Sequence, residues 1–163
     1  MAEDNRIQQF VIVLLMMAVA FYVQELPVSN VLQTVLPEWP YVLTLYFAAS
    51  SRYFFGVISA FVVGLIEDVF LGVPTLGLHA GIYVLAAFIL IAGRSRFRHL
   101  RLTGQSLMIC LLVLMKVVMV MIYNTVLYAP PTHFWALLSV PLSMLLWPLL
   151  HVFFRFFANR HSV

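Results

Sequence analysis

Lys116 is the residue of this sequence most in need of a chemical explanation. It stands in the middle of an otherwise uncharged apolar run, where an ionised group is costly and marks a functional position by default. Asp68 is the obvious counter-charge, since ion pairing would neutralise both groups. Counted along helices at about 1.5 Å per residue, however, Asp68 lies about four residues and Lys116 about eleven from the same end of their runs, a depth gap of about 10 Å. Backbone carbonyls, Ser143 at similar depth, a water pocket or an acid from a partner compete for the ammonium. Proton or solute translocation calls for ionisable groups strung across the bilayer, and these do not form a chain. Gln105 and Tyr123 fall on nearly the same helical face as Lys116, so that run has one polar edge, which should point inward.

His79 has no second His or acid at ligand spacing on its helix, and reads as a hydrogen-bonding partner and not a metal ligand. Cys110 is the single cysteine and excludes an internal disulfide framework. No nucleophile and base at workable spacing, phosphate-cradling glycine loop or zinc motif is present, so neither catalysis nor a cofactor is expected.

The elements that must position these groups are membrane helices. The chain has 163 residues, 64% hydrophobic and 9% charged, with a mean hydropathy of +1.03; a soluble core cannot hide that much apolar surface. Six apolar runs fit, about residues 7–23, 38–50, 53–71, 76–92, 105–127 and 134–157, in a single membrane domain over 1–163. Ala18-Val19-Ala20 resembles a signal-peptidase site, but Glu3 and Asp4 precede the run and Phe21-Tyr22-Val23 continues it, so a retained span is expected. Of nine basic residues, Lys116 apart, Arg6, Arg52, Arg94, Arg96, Arg98, Arg101, Arg155 and Arg160 all fall on one side when the runs cross alternately. Eight against zero places both termini inside. The formal charge of +3 is explained by that topology and does not point to nucleic acid. Arg94, Arg96, Arg98 and Arg101 form a basic inner loop, a topology determinant that could also meet anionic lipid or a cytoplasmic protein.

In the third run Gly56, Ala60, Gly64, Asp68 and Gly72 recur every four residues and form one stripe. Small residues at that spacing let another backbone approach, through internal packing, docking of a partner's helix or self-association. Asp68 lies on the stripe and should find donors among the amides around Gly72, the Thr75 hydroxyl or His79. Glu67 is rotated by about 100° and is expected to reach water. Residues 28–35 repeat as a short amphipathic helix on the outer surface. Pro37-Glu38-Trp39-Pro40 opens the second span, and Pro141 and Pro148 should bend the sixth.

Pro37-Glu38-Trp39, then Gly64-x-x-x-Asp68-x-x-x-Gly72 and Gly77, then Trp147-Pro148, resemble the MreD family of rod shape-determining proteins over nearly the whole chain. Lys116 matches no motif of that family, and the turn after Gly72 is one residue longer than the family pattern. The resemblance implies an all-α integral membrane protein of six spans in the bacterial inner membrane, similar in fold to the S-components of energy-coupling-factor transporters. It implies a non-catalytic scaffold for lateral peptidoglycan synthesis that binds MreC and works alongside MreB, RodA and its transpeptidase. The fold likeness supplies an alternative, the vitamin-binding subunit of a transporter. S-components dock through Ala-x-x-x-Ala in the first span, whereas here Ala18 and Ala20 are followed four residues on by Tyr22 and Gln24.

Overall fold

The computed structural model describes residues 2–26, 36–50, 55–72, 76–128 and 134–160. Arg52, Thr75 and the expected surface helix over 28–35 lie outside them. All regular structure among the described residues is helical: α1 (Ala2–Gln24), α2 (Trp39–Ala49), α3 (Val57–Phe70), α4 (Leu78–Ala92), α5 (Arg94–His99), α6 (Leu102–Tyr128), a 3₁₀ turn (Phe134–Leu138) and α7 (Ser139–Arg160). Three stretches are long and apolar enough to cross a membrane, Ile7–Gln24, Leu102–Leu127 and Ala136–Phe154, and Leu78–Ala92 is apolar but shorter. The chain is a helical membrane protein.

The basic segment expected as a loop is the helix α5. Its anchor is Phe97, which is buried edge-on against Trp147 with ring centroids 5.6 Å apart. Gln105 Nε2 donates to the carbonyls of Phe97 and Leu100 at 3.3 and 3.2 Å, satisfying the C-terminal end that would otherwise be orphaned. Arg96, Arg98 and His99 occupy its last turn, where the helix dipole favours positive charge. The two prolines of the last run act differently. Pro148 sits inside α7. Pro141 falls in the first turn of α7, where its missing N–H breaks no intrahelical bond; the clash of its ring with an α-helical carbonyl four residues back explains why the preceding residues wind as 3₁₀.

The architecture is organised around α2. At 11 residues it is about 16 Å long, about half of the ~30 Å hydrocarbon core, so residues flanking the helix must complete any crossing. It packs against α1, α4, α6 and α7 and touches α3 and α5. Residues Pro40 to Leu45 and Phe47 to Ala49 are all buried, as a helix apolar on every side requires. At one end Tyr46 stacks on Phe154 and leans on Trp147, at centroid distances of 4.3 and 5.7 Å. α1 is peripheral: Met17, Ala20 and Phe21 face the core, whereas Phe10, Leu14, Val19 and Tyr22 are exposed and suit lipid.

α3 and α4 form the most extensive helix pair. Gly64 permits it, because a Cβ there would stand 2.5 Å from Ala80 Cα and 2.9 Å from the His79 carbonyl oxygen. The two backbones meet at that point with no room for a side chain. The small residue of the stripe is therefore used within the fold. Gly81 on α4 is exposed, with open space where a Cβ would go. Gly64→Val should force the helices apart and lower stability by about 1–3 kcal/mol, whereas Gly81→Ala should leave it unchanged or raise it by up to about 1 kcal/mol. Thermal unfolding of the purified protein in detergent checks both; equal behaviour of the two variants would contradict the close approach.

Candidate functional site

One turn beyond Gly64 on the same stripe, Asp68 is fully buried and caps α4 from α3. Its Oδ2 accepts from the amides of Gly77 (2.9 Å) and Ala80 (3.3 Å). Its Oδ1 accepts from the His79 amide at 3.0 Å and lies 2.9 Å from His79 Nδ1, whose N–H donates to the carboxylate. These amides belong to the first turn of α4, where unpaired N–H groups and the positive end of the dipole converge. Gly77 makes the geometry accessible, since its φ of +113° is a conformation that L side chains rarely adopt. Of the expected donors, His79 is correct and Gly72 is not. The Gly72 amide closes the end of α3 by donating to the Val69 carbonyl at 3.2 Å, with φ +58°.

Lys116 does not meet Asp68. Only 2% exposed, it donates from Nζ to Glu67 Oε1 at 2.7 Å and forms a second ion pair with Glu38 at the N-terminal cap of α2. Its ammonium also stands 5.0 Å from the Tyr41 ring centroid and 5.4 Å from that of Tyr83, within cation–π range. The two rings pack edge to face at 4.9 Å. Tyr41 donates its hydroxyl to the Leu112 carbonyl at 3.0 Å, one turn before Lys116, and Tyr83 donates to Glu67 Oε2. Four elements, α2, α3, α4 and α6, thus converge on one ammonium. Glu67, expected to reach water, is instead the central acid. Ser143 is buried elsewhere in this arrangement and does not bond Lys116. The depth count measured backbones, and two long side chains reaching toward each other close the gap.

Beside this cluster lies a partly open cavity of about 200 Å³. Gln24, Glu25, Glu38, Glu67, His79 and Lys116 supply its polar lining, and aromatic and aliphatic side chains the rest. Among the described residues no three His, Cys, Asp or Glu side chains come together as a metal site.

The chain matches the family of rod shape-determining protein MreD over residues 4–157. It belongs to the MreD family. The rod shape-determining protein MreD of Haemophilus influenzae is 28% identical over 153 residues, covering 94% of each chain. No solved structure matches the chain.

Mapped onto the fold, the MreD-like motif residues do separate jobs. Gly64, Asp68 and Gly77 join α3 to α4. Trp147 is buried between Tyr46 and Phe97 and donates Nε1 to Gln105 Oε1 at 3.4 Å, and Pro148 continues the same helix. Pro37 and Trp39 are half-buried at the start of α2, where the Trp39 amide donates to the Pro37 carbonyl at 2.9 Å. Ala60 is buried, Gly56 half-buried and Gly72 exposed. On α6, Gln105 and Lys116 are buried and Tyr123 is half-buried, so the polar edge does point inward. The basic group divides: Arg96, Arg98 and Arg101 are exposed, but Arg94 turns inward and donates Nη2 to the Ala48 carbonyl at 2.7 Å near the C-terminus of α2. Sequence reasoning assigned Glu67 to water and Glu38 to the start of the second span, and passed over Tyr41 and Tyr83. A signal existed for Glu38 and Glu67, as they lie at the same end of their runs and Lys116 required an acid.

Removing the ammonium strands two carboxylates. Lys116→Met should therefore destabilise the protein by about 3–5 kcal/mol. Adding Glu67→Gln and Glu38→Gln to it should recover part of the loss. The measurement is a triple-mutant cycle by thermal or denaturant unfolding, and strict additivity of the three changes would refute the pairing.

Proposed function

We propose that this chain is a non-catalytic membrane scaffold of the bacterial cell-elongation machinery. It binds MreC and supports rod shape and lateral peptidoglycan synthesis alongside MreB, RodA and its transpeptidase. The observation that carries the reading is membership of the MreD family over residues 4–157, together with a relative of the same name that aligns nearly end to end. The chain is read as one domain over 1–163 that passes six times through the inner membrane with both termini in the cytoplasm. In that orientation the cavity and Asp68 face the periplasm, and the exposed arginines of α5 face cytoplasmic lipid headgroups.

Physical chemistry supports a scaffold over a carrier. Each ionisable group buried at the site has its partner within the chain: Asp68 with His79 and the α4 amides, Lys116 with Glu38 and Glu67. The cavity is smaller than the ~300–1,000 Å³ clefts that usually hold small-molecule ligands, which disfavours a vitamin. The internal position of Gly64 moves the MreC surface off the middle of the stripe and toward exposed positions such as Ile58, Val69 and Phe70 on α3.

Expression of this chain in rod-shaped cells depleted of their own MreD-family protein should restore rods, and MreC should co-purify with it from membranes. Replacing Ile58 and Val69 together by bulky polar residues should reduce that co-purification while leaving the unfolding temperature unchanged. Rounded cells despite normal expression, or membranes from which MreC does not co-purify, would overturn the reading.

A further inference from the structure

The cavity beside Lys116 has a surplus of acceptors. Glu25, Glu38 and Glu67 line it against a single ammonium, three negative groups to one positive. The cavity's two charged or ring-nitrogen donors nearest the acids are already engaged. Lys116 is held by Glu38 and Glu67 with the Tyr41 and Tyr83 ring faces beside it, and His79 Nδ1 is committed to Asp68. Gln24 Oε1 is a buried acceptor with no hydrogen-bond partner, and Gln24 is part of the cavity wall. A buried acceptor left unmatched costs free energy, and three carboxylates around one recess, Glu38 and Glu67 half-buried and Glu25 exposed, draw positive charge to it. Opposite the acids stand Phe21 and Phe70, stacked at 5.5 Å, with Leu71 and Val120. That wall suits an aliphatic stem, and its rings add a cation–π face.

We propose that this cavity receives the cationic side chain, lysine or arginine, of a protein segment that reaches the acidic end of the fold. Volume sets the scale of the occupant: about 200 Å³ equals roughly seven waters at about 30 Å³ each, room for one long side chain and not for a whole cofactor. Charge distinguishes the source. A lipid ethanolamine carries its phosphate a few bonds from the ammonium and would bring that phosphate against Glu25 and Glu67, whereas a lysine or arginine stem carries no anion. A bare divalent ion lacks three converging ligands among the described residues. The inference deepens the scaffold reading by giving the chemistry that a partner presents, and rests on that reading only for the existence of the partner.

The test uses the full chain in detergent and follows thermal unfolding with n-butylammonium chloride as the probe, against sodium chloride, sodium butyrate and phosphoethanolamine at equal ionic strength. Butylammonium should raise the midpoint by a few degrees in a saturable way, and the other three should not. Gln24→Leu and Glu25→Gln, neither of which takes part in holding Lys116, should not lower the unliganded midpoint and should reduce the shift at least severalfold. The proposal is overturned if butylammonium gives no more than the sodium chloride effect, or if the variants respond like the parent. A larger shift with phosphoethanolamine overturns it in favour of a lipid headgroup. Because no partner protein is present, failure here leaves MreC co-purification untouched, and failure of co-purification leaves the cation result standing.

Discussion

The carboxylate of Asp68, held by the first turn of α4, is the contact from which the rest of the acidic end follows. Three backbone amides and one imidazole N–H converge on its two oxygens, so the end of α3 is fixed to the start of α4 in both register and rotation. Such a clamp requires the helices to lie almost in backbone contact. Gly64, four residues earlier, provides that closeness. Once α3 is locked in rotation, its neighbour Glu67 has no freedom either: it is turned by about 100° from Asp68, toward α2 and α6. Tyr83, one turn beyond His79 on α4, then donates to the same carboxylate that accepts from Lys116. The pairing of Gly64 with Asp68 on one stripe thus aims Glu67 at Lys116, although neither Glu67 nor Lys116 belongs to that stripe.

α2 is fixed from both ends by charge. Glu38 occupies the N-cap position, where its side chain pairs with Lys116 and makes no bond to the helix amides; Arg94 binds the Ala48 carbonyl near the C-terminus. A negative group at the first end and a positive one at the second are the arrangement that a helix dipole favours. This explains how so short a helix serves as the centre of the bundle. Its neighbouring helices enclose it, and a side chain of α6 pairs with Glu38 at one end while one of α5 binds a backbone carbonyl near the other. Between them Tyr41, Val42, Leu45 and Phe47 have no solvent exposure, so the two charged ends are separated by a dry, packed segment.

Periodicity and charge made the helices legible. All six runs end within about five residues of the observed helices, because stretches of apolar residues bounded by proline, glycine and arginine leave few alternatives. The helix α5 was hidden because six residues carry little periodicity, and its stability comes from Phe97 and Gln105, contacts distant in sequence. At the site, the four-residue spacing of Gly64 and Asp68 was readable, and with it the burial of Asp68 and its bond to His79. The partner of Lys116 was not. Helical-wheel reasoning ranks acids by the face of their own helix, whereas Glu38 and Glu67 are selected by where three other helices place the ammonium. Depth counting weighed Lys116 against Asp68 alone, and the lysine arm, which closes only part of that gap, reaches Glu67 and Glu38 instead.

Two acids around one lysine leave the cluster with more negative than positive charge, and that asymmetry bears on what the protein can do. A balanced buried pair stabilises one closed arrangement and asks for nothing more. Here Glu67 has both oxygens occupied, by Lys116 and Tyr83, while Glu38 shares the same ammonium and opens onto the cavity with Glu25 and Gln24. Surplus charge therefore collects at the cavity, which His79 of the α3–α4 clamp also lines. Translocation would require a polar route from there to the arginines of α5, and the packed body of α2 stands across it. The ionisable groups belong to one end, where the clamp holds them rigid; a rigid, negatively biased recess is suited to recognising a group brought to it and not to passing one through.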